Sequence, residues 1–284
     1  ELLMQIYKTQ KDLEIYLDSM REKGKNIALV PTMGGLHDGH LSLVDKAKSL
    51  AEIVIVSIFV NPTQFARGED FDDYPNTFES DKLLLQSKNV DALFLPSKEE
   101  IYPHGTLSDY KVGAIGQILC GAFRPTHFDG VAQVVKRFFE IVKPNYAVFG
   151  EKDFQQLLII KSLVKNLNLN LKIESMPTQR EKDGLAMSTR NQYLSDLDRE
   201  RAPQFYRVLC DVRDSILIGN SLTDAKKDAV EMLSQSFEVE YLEVLDANNL
   251  TQIETKTTEI IIISAIRFGG TRLIDNLVFR RTNV

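Results

Sequence analysis

Apolar positions along this chain recur with two different periods, and the period changes after about residue 176. Before that point, short unbroken apolar runs occur at Ile27–Val30, Ile53–Val60, Ala92–Leu95 and Tyr146–Phe149. They read as strands buried on both faces, which leave no position for a polar side. Between them, apolar residues return every three or four positions, as Leu41, Val44, Ala47 and Leu50 do. That spacing predicts helices over Asp38–Ala51, Phe78–Ser87, Gly130–Val142 and Phe154–Leu167, with another strand at Leu171–Ser175. The alternation predicts an α/β fold: a Rossmann-like parallel sheet with helices on both faces, over residues 1–176. After residue 176 a polar segment, PTQREKDGLAMSTRNQYLS, leads into a long helix from near Asp196 to just before Gly219, and a second from Leu222 to Ser236. Period-two alternations follow at Val239–Leu245, Glu259–Ala265 and Leu273–Phe279, with Gly269-Gly270 turning between the last two. Residues 177–284 therefore read as a smaller α+β C-terminal domain with an antiparallel sheet.

Composition narrows the class without naming a function. Of the 284 residues, 43% are hydrophobic and 26% charged, which is ordinary for a globular protein. The formal net charge is −6 and no lysine/arginine block occurs, so nucleic acid is not an expected partner. The apolar runs are too short to span a bilayer, and the N-terminal stretch lacks a basic-then-apolar layout. Cys120 and Cys210 form no C-x-x-C pair, which suits a reducing compartment and suggests no metal site. A cytoplasmic protein without a membrane partner is expected. The four histidines, His37, His40, His104 and His127, all fall in Gly- or Pro-punctuated segments.

Candidate chemistry gathers where strands end, which is where ligands sit in such sheets. After the first strand comes PTMGGLHDGH, with His37 and His40 framing Gly39. A glycine-rich turn entering a helix aims backbone N–H groups and the positive helix end at one point, which favours phosphate. Two imidazoles there can donate to phosphate oxygens; a turn whose histidines only cap the helix is the plainer alternative. After the fourth strand, Gly150-Glu151-Lys152-Asp153 offers a mobile ammonium, and Asp153 suits a ribose hydroxyl or a magnesium ion. Gln155 and Gln156 add amides. In the polar segment, Gly184 frees the backbone and Ser188, Thr189 and Arg190 suit a triphosphate and a leaving pyrophosphate. After the second strand, Asn61 and Gln64 flank Pro62 beside Phe65, a mixture that suits a small branched hydroxy acid. Arg124 and His127 lie in a loop able to help form a carboxylate site.

Together, in this order, PTMGGLHDGHLSLV, IFVNPTQF, RPTHFDGV, VFGEKDFQQL, DGLAMSTRNQYLS and GGTRLIDN closely resemble the pantoate–β-alanine ligase family of the nucleotidyltransferase superfamily. The resemblance spans residues 31–276. It implies ATP-dependent condensation of pantoate with β-alanine to pantothenate, AMP and pyrophosphate through pantoyl adenylate, by a homodimer. ATP is a substrate, and Mg2+ screens its phosphates without a dedicated protein cage. The resemblance further implies that Met33, Gly34, Gly35, Leu36, His37, Asp38, Gly39 and His40 line the ATP site, with His40 catalytic. Gly150, Glu151, Lys152 and Asp153 hold ATP, with Lys152 on the phosphates and Asp153 near the ribose. Gln179 lies under the adenine, where an aliphatic residue is common, and Met187, Ser188, Thr189 and Arg190 close over the triphosphate, bringing the C-terminal domain over the ATP site. Gln64 and Gln156 bind pantoate, with Asn61 beside them. Gly35 and Thr189 stand where Ala and Ser are expected.

Overall fold

The computed structural model describes residues 4–106 and 110–281. The outermost ends of the two expected domains, residues 1–3 and 282–284, lie outside the described residues. The chain divides into two compact units, one of residues 1–151 and 159–177, the other of residues 152–158 and 178–284.

In the first unit the strands are β1 (Gln5–Tyr7), β2 (Ile27–Thr32), β3 (Ile53–Ile58), β4 (Ala92–Phe94), β5 (Tyr146–Gly150) and β6 (Lys172–Met176). They form one sheet in the order β1-β4-β3-β2-β5-β6, and every pairing is parallel. The register runs from Ile27 opposite Ile53 to Thr32 opposite Ile58. The helices are α1 (Gln10–Glu22), α2 (Asp38–Leu50), α3 (Phe78–Ser87), α4 (Lys98–Ile101), α5 (Cys120–Phe123), α6 (His127–Val142) and α7 (Phe154–Asn166), whose first residues belong to the second unit. On one face, Ala28 and Val30 share a core with Val44 and Ala47 of α2 and Leu85 of α3. Ile27 and Leu29 point the other way and are equally buried, which is why β2 carries no polar alternation. β1 and α1 lie outside the sequence reading. β1 is three residues long, too short to show a period, and α1 carries only Leu13 and Leu17 as buried positions.

In the second unit, β7 (Glu238–Asp246), β8 (Glu259–Phe268) and β9 (Thr271–Arg280) form an antiparallel sheet with β8 in the centre. Gly269 and Gly270 make the β8–β9 turn with φ of 56° and 75°, a backbone region that glycine enters without a Cβ penalty. The long helix expected from Asp196 is instead two, α8 (Asp196–Arg201) and α9 (Gln204–Leu217). Pro203 lies between them and has no N–H with which to continue the ladder. Phe205, Val208, Leu209 and Val212 recur at helical spacing and pack with Ala225, Ala229 and Leu233 of α10 (Leu222–Ser234) against Ile260, Ile262 and Ile266.

Candidate active site

The turn between β2 and α2 is built from the backbone outward. Gly34 and Gly35 take φ of 84° and 63°. A Cβ on Gly34 would lie 3.1 Å from Asp81 Oδ2 and 3.2 Å from Ile58 Cγ2, so space as well as φ selects glycine. Asp81, on α3, is 2% exposed and accepts the N–H of Gly35 at 3.0 Å and of Leu36 at 2.8 Å. The Thr77 hydroxyl donates to the same carboxylate at 3.1 Å. Reading the sequence missed Asp81. The available signal was an acid on the inward stripe of α3, three residues from Phe78 and four from Leu85.

The two histidines cap α2, as the plainer alternative held. Gly39 N–H donates to His37 Nδ1 at 3.1 Å, and His37 N–H donates to His40 Nδ1 at 3.3 Å, a reciprocal capping box. Capping and phosphate binding are not exclusive. A neutral ring that accepts at Nδ1 carries its proton at Nε2, so the cap fixes both imidazoles as Nε2–H donors. The ring centroids are 4.1 Å apart. His40 lies within α2, inside the helix expected from Asp38, whereas His127, expected in a loop, begins α6.

After β3, Asn61 caps a single 3-10 turn, Pro62–Gln64. Asn61 is 1% exposed, and its amide is engaged throughout. Its Oδ1 accepts from Thr63 N at 3.3 Å, Thr63 Oγ1 at 2.9 Å and Tyr102 Oη at 2.7 Å, and its Nδ2 donates to Gln64 Oε1 and Gly130 O, both at 3.1 Å. Burial pushes the Tyr102 phenol up to about 12, against hydrogen bonds that pull it down, so it stays a donor. Gln64 Nε2 donates to Met33 Sδ at 3.0 Å, which joins this turn to the glycine turn. A Cβ on Gly130 would fall 2.2 Å from Thr63 O, so the first turn of α6 and the 61–64 turn interlock through a glycine.

Arg124 is not placed to receive a substrate carboxylate by itself. Its Nε and Nη2 donate to Glu69 at 2.6 and 2.7 Å, Nη2 reaches Gln64 O at 3.3 Å, and Nη1 lies 3.1 Å from His127 Nε2. His127 Nδ1 lies 2.6 Å from the same Gln64 carbonyl. Burial raises the Glu69 carboxyl, but the Arg124 hydrogen bonds and charge outweigh it and hold Glu69 below its ordinary 4.5. The group is a buttress for the Gln64 backbone.

Gly150 ends β5, and Glu151 accepts from Ser175 Oγ at 2.7 Å. In the second unit, Lys152 pairs with Asp153 at 3.8 Å, and Gln156 is half-buried in the first turn of α7. The 178–191 segment is a small hairpin: Arg180 bridges Ala186, and Met187 N donates to Gln179 O at 2.9 Å. Ser188 caps the next 3-10 turn, Thr189–Tyr193, by accepting from Arg190 N at 3.3 Å. Within the first unit, then, the structure gathers Met33–His40 with Asn61 and Gln64. Within the second it gathers Lys152 with the Gln179–Arg190 hairpin, both bonded to β9. The side-chain donors of the two sets, imidazole, ammonium, guanidinium and hydroxyl, suit an anion, whereas the N–H groups of Gly35, Leu36, His37 and Gly39 are already taken.

The family model for pantoate-beta-alanine ligases matches residues 5–278. A pantothenate synthetase of Vesicomyosocius okutanii is 52% identical over 263 residues, covering 93% of either chain. One of Ruthia magnifica is 50% identical over 278 residues, covering 98% of this chain and 100% of that protein. The crystal structure of a Thermus thermophilus pantothenate synthetase superposes with a TM-score of 0.91 at 42% identity, covering 96% of this chain and 99% of that one. A Francisella tularensis pantoate-beta-alanine ligase, complexed with beta-gamma ATP and beta-alanine, gives 0.82 at 38% identity, with 97% of each chain covered.

Proposed function

The chain belongs to the pantoate–β-alanine ligase family, and we infer that it joins pantoate to β-alanine with ATP by way of pantoyl adenylate. The observation that supports ATP chemistry at the glycine turn is the start of α2, where a helix N-terminus and two imidazoles that accept at Nδ1, and so donate from Nε2, lie together. A carboxylate is a poor acyl donor because oxide is a poor leaving group. In the first step a pantoate carboxylate oxygen attacks the α-phosphorus of ATP, the bond to the bridging oxygen of pyrophosphate breaks, and pyrophosphate leaves. In the second, the β-alanine amine attacks the acyl carbon, loses a proton, and AMP departs. Catalysis is positioning and charge neutralisation.

His40 and His37 donate to phosphate oxygens as charge builds on them. Met33–His40, Gly150–Asp153, Gln179 and Met187–Arg190 bind ATP, with Lys152, Ser188 and Arg190 on the phosphates. Gln64 and Gln156 hold pantoate. Asn61 acts through Gln64, because its own amide is spent inside the turn. Magnesium enters as part of the substrate MgATP and screens its phosphates; among the described residues no group of three or more His, Cys, Asp or Glu is placed to hold a metal ion. The family reading also carries a cytoplasmic homodimer, which sedimentation equilibrium tests. No helix among the described residues is long and apolar enough to cross a membrane.

The deciding experiment is exchange of labelled pyrophosphate into ATP. It should require pantoate and proceed without β-alanine. ADP as product, or exchange that needs the amine, excludes the adenylate.

A further inference from the structure

Strand β9 carries Asp275 and Asn276 side by side at mid-length, opposite Ser264 and Ile263 of β8. They are 2% and 5% exposed. Adjacent strand residues face opposite sides of a sheet. Asp275 shares its side with Leu273 and Phe279 of the apolar core, where an unpaired carboxylate is costly. Its partner is Arg180, whose Nη1 and Nη2 donate to the two carboxylate oxygens at 2.6 and 2.9 Å. The same guanidinium donates to Gly184 O at 3.2 Å and Asn276 O at 3.1 Å, and stacks 3.5 Å from the Tyr206 ring centroid. Arg180 is thereby committed to the base of the 178–191 hairpin. From the other side of the strand, Asn276 Nδ2 donates to the Lys152 carbonyl at 2.9 Å. Asn276 N–H donates to Asp275 Oδ1 at 2.7 Å, which ties the neighbours to each other. Two segments far apart in the chain, one bearing Lys152 and the other Ser188 and Arg190, thus hang from one dipeptide.

We propose that Asp275 and Asn276 are positioning residues that hold the Lys152 turn and the 179–191 segment in one register, so that Lys152, Ser188 and Arg190 meet the triphosphate together. This rests on the assignment of those three side chains to ATP. Neither β9 residue need touch substrate. Multi-point recognition of a triphosphate requires its donors to be set to a fraction of an ångström, and a rigid strand does this better than a loop.

Two measurements test it. Pantoate-dependent pyrophosphate exchange is followed in the wild type, Asn276→Ala, Lys152→Ala and the double variant. Loss of one hydrogen bond predicts a rise of about tenfold in the KM for ATP with Asn276→Ala. The reaction of preformed pantoyl adenylate with β-alanine stays unchanged. In the Lys152→Ala background the same substitution has almost no further effect, because its action passes through Lys152. Independent, multiplying effects overturn the proposal. The second measurement needs no activity. In the unliganded protein, Arg180→Lys keeps the charge and loses the fork, and should speed deuterium uptake in residues 179–187 and also in 151–154. Faster uptake in 179–187 alone overturns the shared register. If the wild type fails to exchange pyrophosphate, the ATP reading fails instead, and deuterium uptake alone decides the clamp.

Discussion

The 33–40 turn of the first unit and the 178–191 hairpin of the second are both held by a buried aspartate, but by opposite chemistry. Asp81 accepts neutral donors: the N–H groups of Gly35 and Leu36 and the Thr77 hydroxyl. Asp275 accepts a guanidinium fork from Arg180 and the N–H of its neighbour. The first anchor fixes backbone, so the residues of the turn are chosen for φ and for absence of a Cβ. The second fixes a side chain, Arg180, at the base of the hairpin. A segment proposed to bind phosphate can be preorganised in either way, and the two ways fail differently when the carboxylate is removed.

The failure of Asp275 should be the larger. Asp275→Asn leaves the Arg180 charge without its counter-ion beside an apolar core, and breaking such a pair costs about 3–5 kcal/mol. Denaturant titration reads this, and a loss below about 1 kcal/mol would show the pair to be solvent-screened and the contrast with Asp81 unfounded.

His40→Ala comes next and acts on rate. Removing a donor to developing phosphate charge should lower adenylate formation by about a hundredfold or more. Because His40 also accepts the His37 N–H, the same substitution should cost about 1 kcal/mol of stability through the lost cap. Wild-type turnover with an intact melting temperature would remove His40 from both roles.

Asp81→Asn is expected to be milder than Asp275→Asn. The isosteric amide keeps one oxygen for one of the two turn N–H groups and presents an NH2 to the other, a loss of about 1–3 kcal/mol with no stranded charge. ATP affinity should fall with it, while reaction of preformed adenylate with β-alanine holds. If Asp81→Asn destabilises as much as Asp275→Asn, the distinction between backbone and side-chain anchors collapses.

The smallest effect is one of pH, on the Arg124–Glu69 buttress. Glu69 sits below its ordinary 4.5, so its contribution is full above that value and is lost as pH falls through the lower, folded value. Deuterium uptake in residues 61–69 should therefore rise on acidification below 4.5, after correction for intrinsic exchange. Loosening on alkalinisation instead would mean that the Arg124 fork does not hold the loop.

Much of the site could be read from local pattern. A four-residue apolar run followed by Gly-Gly and two histidines is enough to place a strand, a turn and a helix start, and the helix Phe78–Ser87 begins and ends where its periodicity does. What went unread depended on partners. The plainer reading of His37 and His40 as caps and the phosphate reading looked like rivals, because a one-dimensional pattern cannot show that each ring caps through Nδ1 alone. Arg124 read as able to help form a carboxylate site because a loop cation advertises charge, and nothing nearby announces that Glu69, 55 residues earlier, has taken it. The helix from Asp196 read as continuous because its apolar spacing continues across Pro203.

The sequence by itself determined the elements, their α/β and α+β order, the glycines that must turn and the inventory of groups proposed to bind phosphate. Each is set by periods of a few residues or by the φ range of a single one. Only the tertiary structure decided which buried carboxylate answers which donor. Asp81 meets residues 45 and 46 positions away, and Arg180 meets Asp275 across 95. A hydrogen bond has a range of about 3 Å, so its partner is chosen by how the sheets and helices pack, at separations over which the one-dimensional pattern carries no signal.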